Sequence, residues 1–148
     1  MRFTRDVEYA LIGLSAMSRT TQLSSAREIS EDFAVPFGIL SKILQRLAQW
    51  EIVKSVQGAR GGYKISRSPR DITLGEIIGA VQGVKHVVPC LDNPADCLRV
   101  DHCNIKPSIS HIQTMWDKMV NSMSLEDFLL SQKQDEASTR ATALVAED

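Results

Sequence analysis

The chain has 148 residues, 43% apolar side chains and a formal net charge of −1, the profile of one ordinary soluble globular unit. It contains no run of about 18 apolar residues that could span a bilayer, and acids interrupt its opening MRFTRDVEYA where a secretory signal would stay apolar, so a cytoplasmic protein is expected. The near-neutral total hides an asymmetry: residues 1–70 hold eleven Lys and Arg against six Asp and Glu, so any polyanion would be met by the first half.

In chain order, Val7, Ala10, Leu11, Leu14 and Met17 recur at spacings of three and four and predict a helix from near Thr4. Ser25 and Glu28 have the spacing of a capping box, in which each side chain satisfies a backbone donor of the other, and open a short second helix. Val35-Pro36 interrupts it, because proline lacks the amide donor and disfavours helix in the residue before it. A third helix is expected from about Pro36 to Trp50, with Leu40, Ile43, Leu44 and Leu47 turned inward and Ser41, Lys42, Gln45 and Arg46 outward. Two short helices joined this way follow the plan of a helix-turn-helix. IVKSVQ and YKIS alternate apolar and polar around the glycine-rich GARGG, so residues 52–66 read as a β-hairpin, a wing with Arg60 at its tip.

After the linker SRSPRD, Thr73 and Glu76 form a second capping box, and Ile72 can staple onto Ile77, starting a helix that ends near Gly83. All three cysteines, Cys90, Cys97 and Cys103, then fall in CLDNPADCLRVDHC. In a reducing cytosol an odd clustered set is no closed disulfide framework, which leaves metal binding or redox chemistry. The spacing is too wide for a two-residue zinc knuckle, and soft thiolates in a turn-rich loop suit an iron-sulfur cluster. Separate half-buried thiols are the structural alternative.

The segments MRFTRDVEYAL, VPFGILSKILQRLAQWEIVKSVQGARGGYKISRSP and ITLGEIIGAVQG, with the C-x6-C-x5-C loop, resemble in their order the Rrf2 family of bacterial transcriptional regulators over residues 1 to about 130. The resemblance implies a winged-helix homodimer that carries a [2Fe-2S] or [4Fe-4S] cluster and couples its state to operator binding, the signal being iron-sulfur supply, iron, nitric oxide or redox state. It implies Cys90, Cys97 and Cys103 as ligands, the face around Ser41, Lys42 and Gln45 as the major-groove reader, and Arg60 in the wing. Some relatives have a histidine three residues beyond the last cysteine. This chain has Lys106 there, a cation at neutral pH. Other relatives use a carboxylate from the partner's first helix, which implies Glu8, with Asp6 and His102 as competitors.

Ile105, Ile109, Ile112, Trp116, Met119 and Met123 alternate steps of four and three, a heptad seam along one long helix that calls for a partner helix. A two-fold dimer would place two recognition helices about 34–36 Å apart on a pseudo-palindromic double-stranded operator. The expected fold class is mainly α with a β-hairpin wing. Its parts are a winged helix-turn-helix over 1–84, a cluster loop over 85–104, a dimerisation helix and short following helix over 105–131, and a mobile tail over 132–148. The competing readings are a winged-helix regulator using its cysteines as zinc ligands or as a direct thiol switch, and a small redox enzyme. Against an enzyme stand the absent CxxC pair and the absent HExxH.

Overall fold

The computed structural model describes residues 3–83 and 86–134. Helix α1 spans Arg5–Ser18 and buries Val7, Ala10, Leu11, Leu14 and Met17, the expected stripe. Thr4 precedes it without capping it; the Thr4 hydroxyl instead bonds Gln82 Oε1 at 3.1 Å. Helix α2, Ala26–Asp32, begins at the Ser25/Glu28 capping box. It stops where Ala34 adopts a left-handed backbone, φ 52°, and Ser30 Oγ donates to the Val35 carbonyl at 2.6 Å.

Helix α3 runs Phe37–Gln49 with Pro36 one residue earlier, at the N-cap. Its inward residues Leu40, Ile43, Leu44 and Leu47 are fully buried, as their period requires. Its exit is a Schellman-type stop made without glycine. Glu51 takes the left-handed position, φ 56°, and the Ile52 amide returns to the Leu47 carbonyl at 2.9 Å.

Strands β1, Val53–Val56, and β2, Gly62–Ile65, pair antiparallel in the register Val53↔Ile65, Lys54↔Lys64, Ser55↔Tyr63 and Val56↔Gly62. The hairpin is tied back to the start of α2, because Ser24 and Tyr63 exchange both backbone hydrogen bonds, at 3.0 and 2.9 Å. Gly62 is required there, since a Cβ would lie 2.8 Å from the Ser24 carbonyl oxygen.

A 3-10 turn at Pro69–Asp71 leads to α4, Leu74–Gln82, which opens on the Thr73/Glu76 capping box. Ile72 and Ile77 are both fully buried, consistent with the staple. The cysteine segment is a one-turn helix α5, Pro89–Asp92, followed by 3-10 turns at Pro94–Asp96 and Val100–His102. Helix α6 spans Lys106–Ser122, and a further helix, α7, covers 125–134. It therefore continues past the expected boundary at 131; residues 135–148 of the expected tail lie outside the described residues.

The chain returns to its own beginning through α6 and α7. Leu74 N donates to Met123 O at 2.9 Å, Leu125 N to Ile72 O at 2.8 Å, and Ser15 Oγ to Gln132 Oε1 at 2.7 Å. Leu125 is thereby fully buried in the same core as Leu14, Leu40 and Ile77.

Candidate nucleic-acid interface and thiol loop

The inward stripe of α3 turns Lys42, Gln45 and Gln49 outward, and all three are exposed. Ser41 differs from the expectation: the residue is half-buried, and its Oγ is enclosed with no hydrogen-bond partner. It lies on the flank of the helix rather than at the crest. Arg46 differs too. Its Nη1 donates to the Val81 carbonyl at 2.8 Å and faces Asp6 at 3.8 Å, so it ties α3 to α1 and α4. Two exposed residues that sequence reasoning missed, Phe37 and Ile39, sit in the first turn of α3, 46% and 42% exposed. The Arg27 guanidinium stacks over the Phe37 ring, 5.2 Å from its centroid.

On the wing, Lys54 and Lys64 stand directly opposite each other and both are exposed. Like charges in this register repel, and no carboxylate pairs with either among the described residues. Arg60 is exposed at the tip, where Gly58 takes φ +122° and the Gly61 amide bonds the Gly58 carbonyl at 2.9 Å. Behind the wing, Arg67 bonds Glu76 Oε1 at 2.6 Å. Partial burial works to raise the Glu76 carboxyl's pKa, but the Thr73 amide and Arg67 outweigh it and hold the group below the usual glutamate value.

All three cysteines are free and half-buried. Cys90 and Cys97 line one cleft of about 430 Å3 with Pro89, Leu98 and Arg99. Cys103 is not among its lining residues, and no three His, Cys, Asp or Glu side chains converge on a metal-sized centre among the described residues. The root of the loop is held to α6: Val87 N donates to Gln113 Oε1 at 2.7 Å, and Gln113 Nε2 donates to Asp117 Oδ1 at 2.7 Å. Gln113 is only 9% exposed, and nothing in its sequence context marks it.

Of the fourth-ligand candidates, Glu8 is exposed in the first turn of α1 and lines a cleft with Phe3, Thr4 and Arg5. Among the described residues no hydrogen bond or ion pair occupies its carboxylate. Asp6 is engaged by Arg46, and His102 ends a 3-10 turn, exposed.

Along α6, Ile112, Met115 and Met119 are at least half exposed, as is Ile105 just before the helix, and Met123 is 42% exposed. Ile109 is half-buried, and Trp116 is half-buried with its ring 6.4 Å from that of Phe3. No helix among the described residues is long and apolar enough to cross a membrane.

A helix-turn-helix followed by a basic hairpin, on a mainly helical chain, defines a winged-helix DNA-binding protein. The Rrf2 family model, described as an iron-dependent transcriptional regulator, matches residues 3–131, and the chain belongs to that family. It is similar to the HTH-type transcriptional regulator NsrR of Bacillus subtilis strain 168, with 27% identity over 138 residues, 91% of this chain and 94% of the relative. In fold it matches CymR, the global cysteine regulator of B. subtilis, with TM-score 0.70 and 22% identity over 88% of this chain and 98% of that one. IscR of T. potens matches with TM-score 0.68 and 24% identity over 91% and 90%. The protein is accordingly a transcriptional regulator and not an enzyme.

Proposed function

We propose that the chain acts as a homodimeric regulator whose DNA affinity is set by an iron-sulfur cluster, [2Fe-2S] or [4Fe-4S], held in residues 85–104. Residues 1–84 form the DNA-binding part of this reading. Lys42 and Gln45 meet the major groove, Ser41 follows if its hydroxyl turns outward, and Arg60 enters the neighbouring minor groove. The partners are double-stranded DNA with a pseudo-palindromic operator and a second copy of the chain, joined along Ile109, Ile112, Trp116 and Met119 over 105–131.

The observation that carries the cluster reading is the set of three free, half-buried thiols on a segment whose root is bonded to α6. Thiolates are the donors such clusters take, and the description of the family as iron-dependent supports the same chemistry. Cys90, Cys97 and Cys103 would hold the group, with Glu8 of the second copy as the fourth ligand. When bound, the cluster supplies one-electron redox chemistry and reactivity toward oxidants and nitric oxide.

A visible spectrum of anaerobically purified protein tests the reading, together with operator binding before and after iron chelation, air or nitric oxide. A brown or red protein whose affinity shifts on cluster loss supports it, and a colourless iron-free one overturns it. Cys90 and Cys97 sharing a cleft without Cys103 favours one second reading, a two-thiol switch, for which the colourless protein would be the expected result.

A further inference from the structure

The first turn of α3 offers DNA an apolar surface that the polar face of the helix does not explain. Phe37 is the first residue of α3, and nearly half of it is exposed. Ser41, one turn on and on the same flank, has its hydroxyl enclosed, so it offers no exposed polar group on the α3 side of the ring. Next to Phe37, the space a Gly38 side chain would occupy is empty to 4 Å, which lets the start of the helix approach a surface closely. Exposure of a phenylalanine at this place costs solubility and gains nothing for the core.

The occupant follows from the chemistry of the groove. A recognition helix contacts base edges with its N-terminal residues. Every major-groove edge presents hydrogen-bond donors or acceptors, and the one apolar group among them is the thymine C5-methyl. Arg27, on the preceding helix α2, lies over the ring, and in helix-turn-helix docking that preceding helix is the one that crosses the phosphate backbone.

We infer that Phe37 reads a thymine methyl in each operator half-site, with Arg27 as the residue that positions its ring. This rests on α3 being the helix that enters the major groove.

The test uses full-length protein and an operator selected from a random duplex pool. Each thymine is replaced in turn by deoxyuridine, which removes only the methyl. Wild type should lose about fourfold in affinity at one thymine per half-site, the value of one buried methyl group. Phe37→Ala should bind the thymine operator about as weakly as wild type binds the uracil one and lose nothing further on substitution. Arg27→Lys, which keeps the charge and removes the planar stack, should retain the salt dependence and show a smaller uracil penalty. A wild-type arm needs no variant: at the same position 5-methylcytosine should bind about fourfold better than cytosine.

A Phe37→Ala protein that keeps the full uracil penalty, or a wild type with no uracil penalty at any position, overturns the assignment. Lys42→Ala measured alongside separates the two failures. If it weakens binding while Phe37→Ala does not, only the methyl assignment falls; if neither matters, α3 is not the reading helix.

Discussion

The backbone amide of Val87 and the side chain of Gln113 meet at 2.7 Å, across 26 residues that include the whole cysteine segment. The bond is buried on the α6 side, and Asp117 holds the Gln113 amide from behind at 2.7 Å. A backbone donor at the root of the thiol loop is thus fixed to the same helix that carries the exposed seam. Gln113→Leu should leave that amide unpaired, at a cost of about 1–3 kcal/mol confined to the loop root. The cysteines of cluster-free protein should then react faster with a thiol reagent, while the thermal midpoint moves little because the core around Leu14 and Leu44 is untouched. Unchanged labelling rates would show that Gln113 is not the anchor.

The Lys54/Lys64 pair opposes stability to function. Lys64→Thr removes the repulsion and places a good strand former on the exposed face, so the fold should gain about 0.2–1 kcal/mol in denaturant titration. The same change should weaken DNA binding evenly across sequences and reduce the magnitude of the salt slope by about one. Loss of stability with unchanged DNA binding would contradict both halves.

Glu51 occupies a left-handed position, φ 56°, that glycine adopts without steric cost. Glu51→Gly should therefore stabilise the chain by about 0.5–1 kcal/mol, relief of backbone strain exceeding the added entropy of the unfolded chain. A denaturation midpoint that stays put or falls would mean that the Glu51 side chain contributes more than its backbone costs.

Acid should destabilise the protein partly through its helix caps. Glu76 is held low by the Thr73 amide and Arg67 against its partial burial. The side-chain hydroxyl and then the amide of Ser124 lower Asp127, and the amide and hydroxyl of Ser25 lower Glu28. A carboxylate depressed in the folded state contributes stability that is complete above its unfolded pKa and is lost as pH falls through its folded one. The midpoint should thus drop as pH falls below the ordinary carboxylate range, and Glu76→Gln should flatten that drop while lowering stability at neutral pH. An equally steep acid limb in the variant would remove Glu76 from the account.

Lysine at two seam positions, Ile112→Lys with Met119→Lys, should give a folded monomer by sedimentation, since both side chains are about half exposed in the single chain. A dimer that survives both changes would place the interface elsewhere.

Local signals were legible in the sequence. The two capping boxes, the Val35-Pro36 break and the Ile72/Ile77 staple involve residues within five positions of one another, and each stands where its spacing put it. The hairpin was legible for the same reason, down to Arg60 at its tip. The errors came from contacts across long stretches of chain. Arg46 belongs to the outward period of α3, yet a carbonyl 35 residues away engages its guanidinium, and no periodicity encodes that bond. Ser41 sits on the flank of the helix, where a small rotation decides between water and protein. Gln113 is one polar residue among several on α6, and only the fold brings Val87, 26 residues away, against it. For the site, the cysteines announced themselves by type and spacing, whereas a ligand set completed by another chain has no spacing to read.

The burial of Leu125 bears on how the protein comes apart. This side chain lies beyond α6, yet it fills the core beneath the helix-turn-helix, and backbone bonds at Leu74 and Leu125 stitch the Ile72–Leu74 stretch to Met123–Leu125. The reading head therefore lacks a complete interior of its own. Cutting the chain ahead of residue 125 would leave a hole under α4 instead of releasing an autonomous fragment. The end of α6 is thus bonded to the start of α4 and not joined to it by a slack linker.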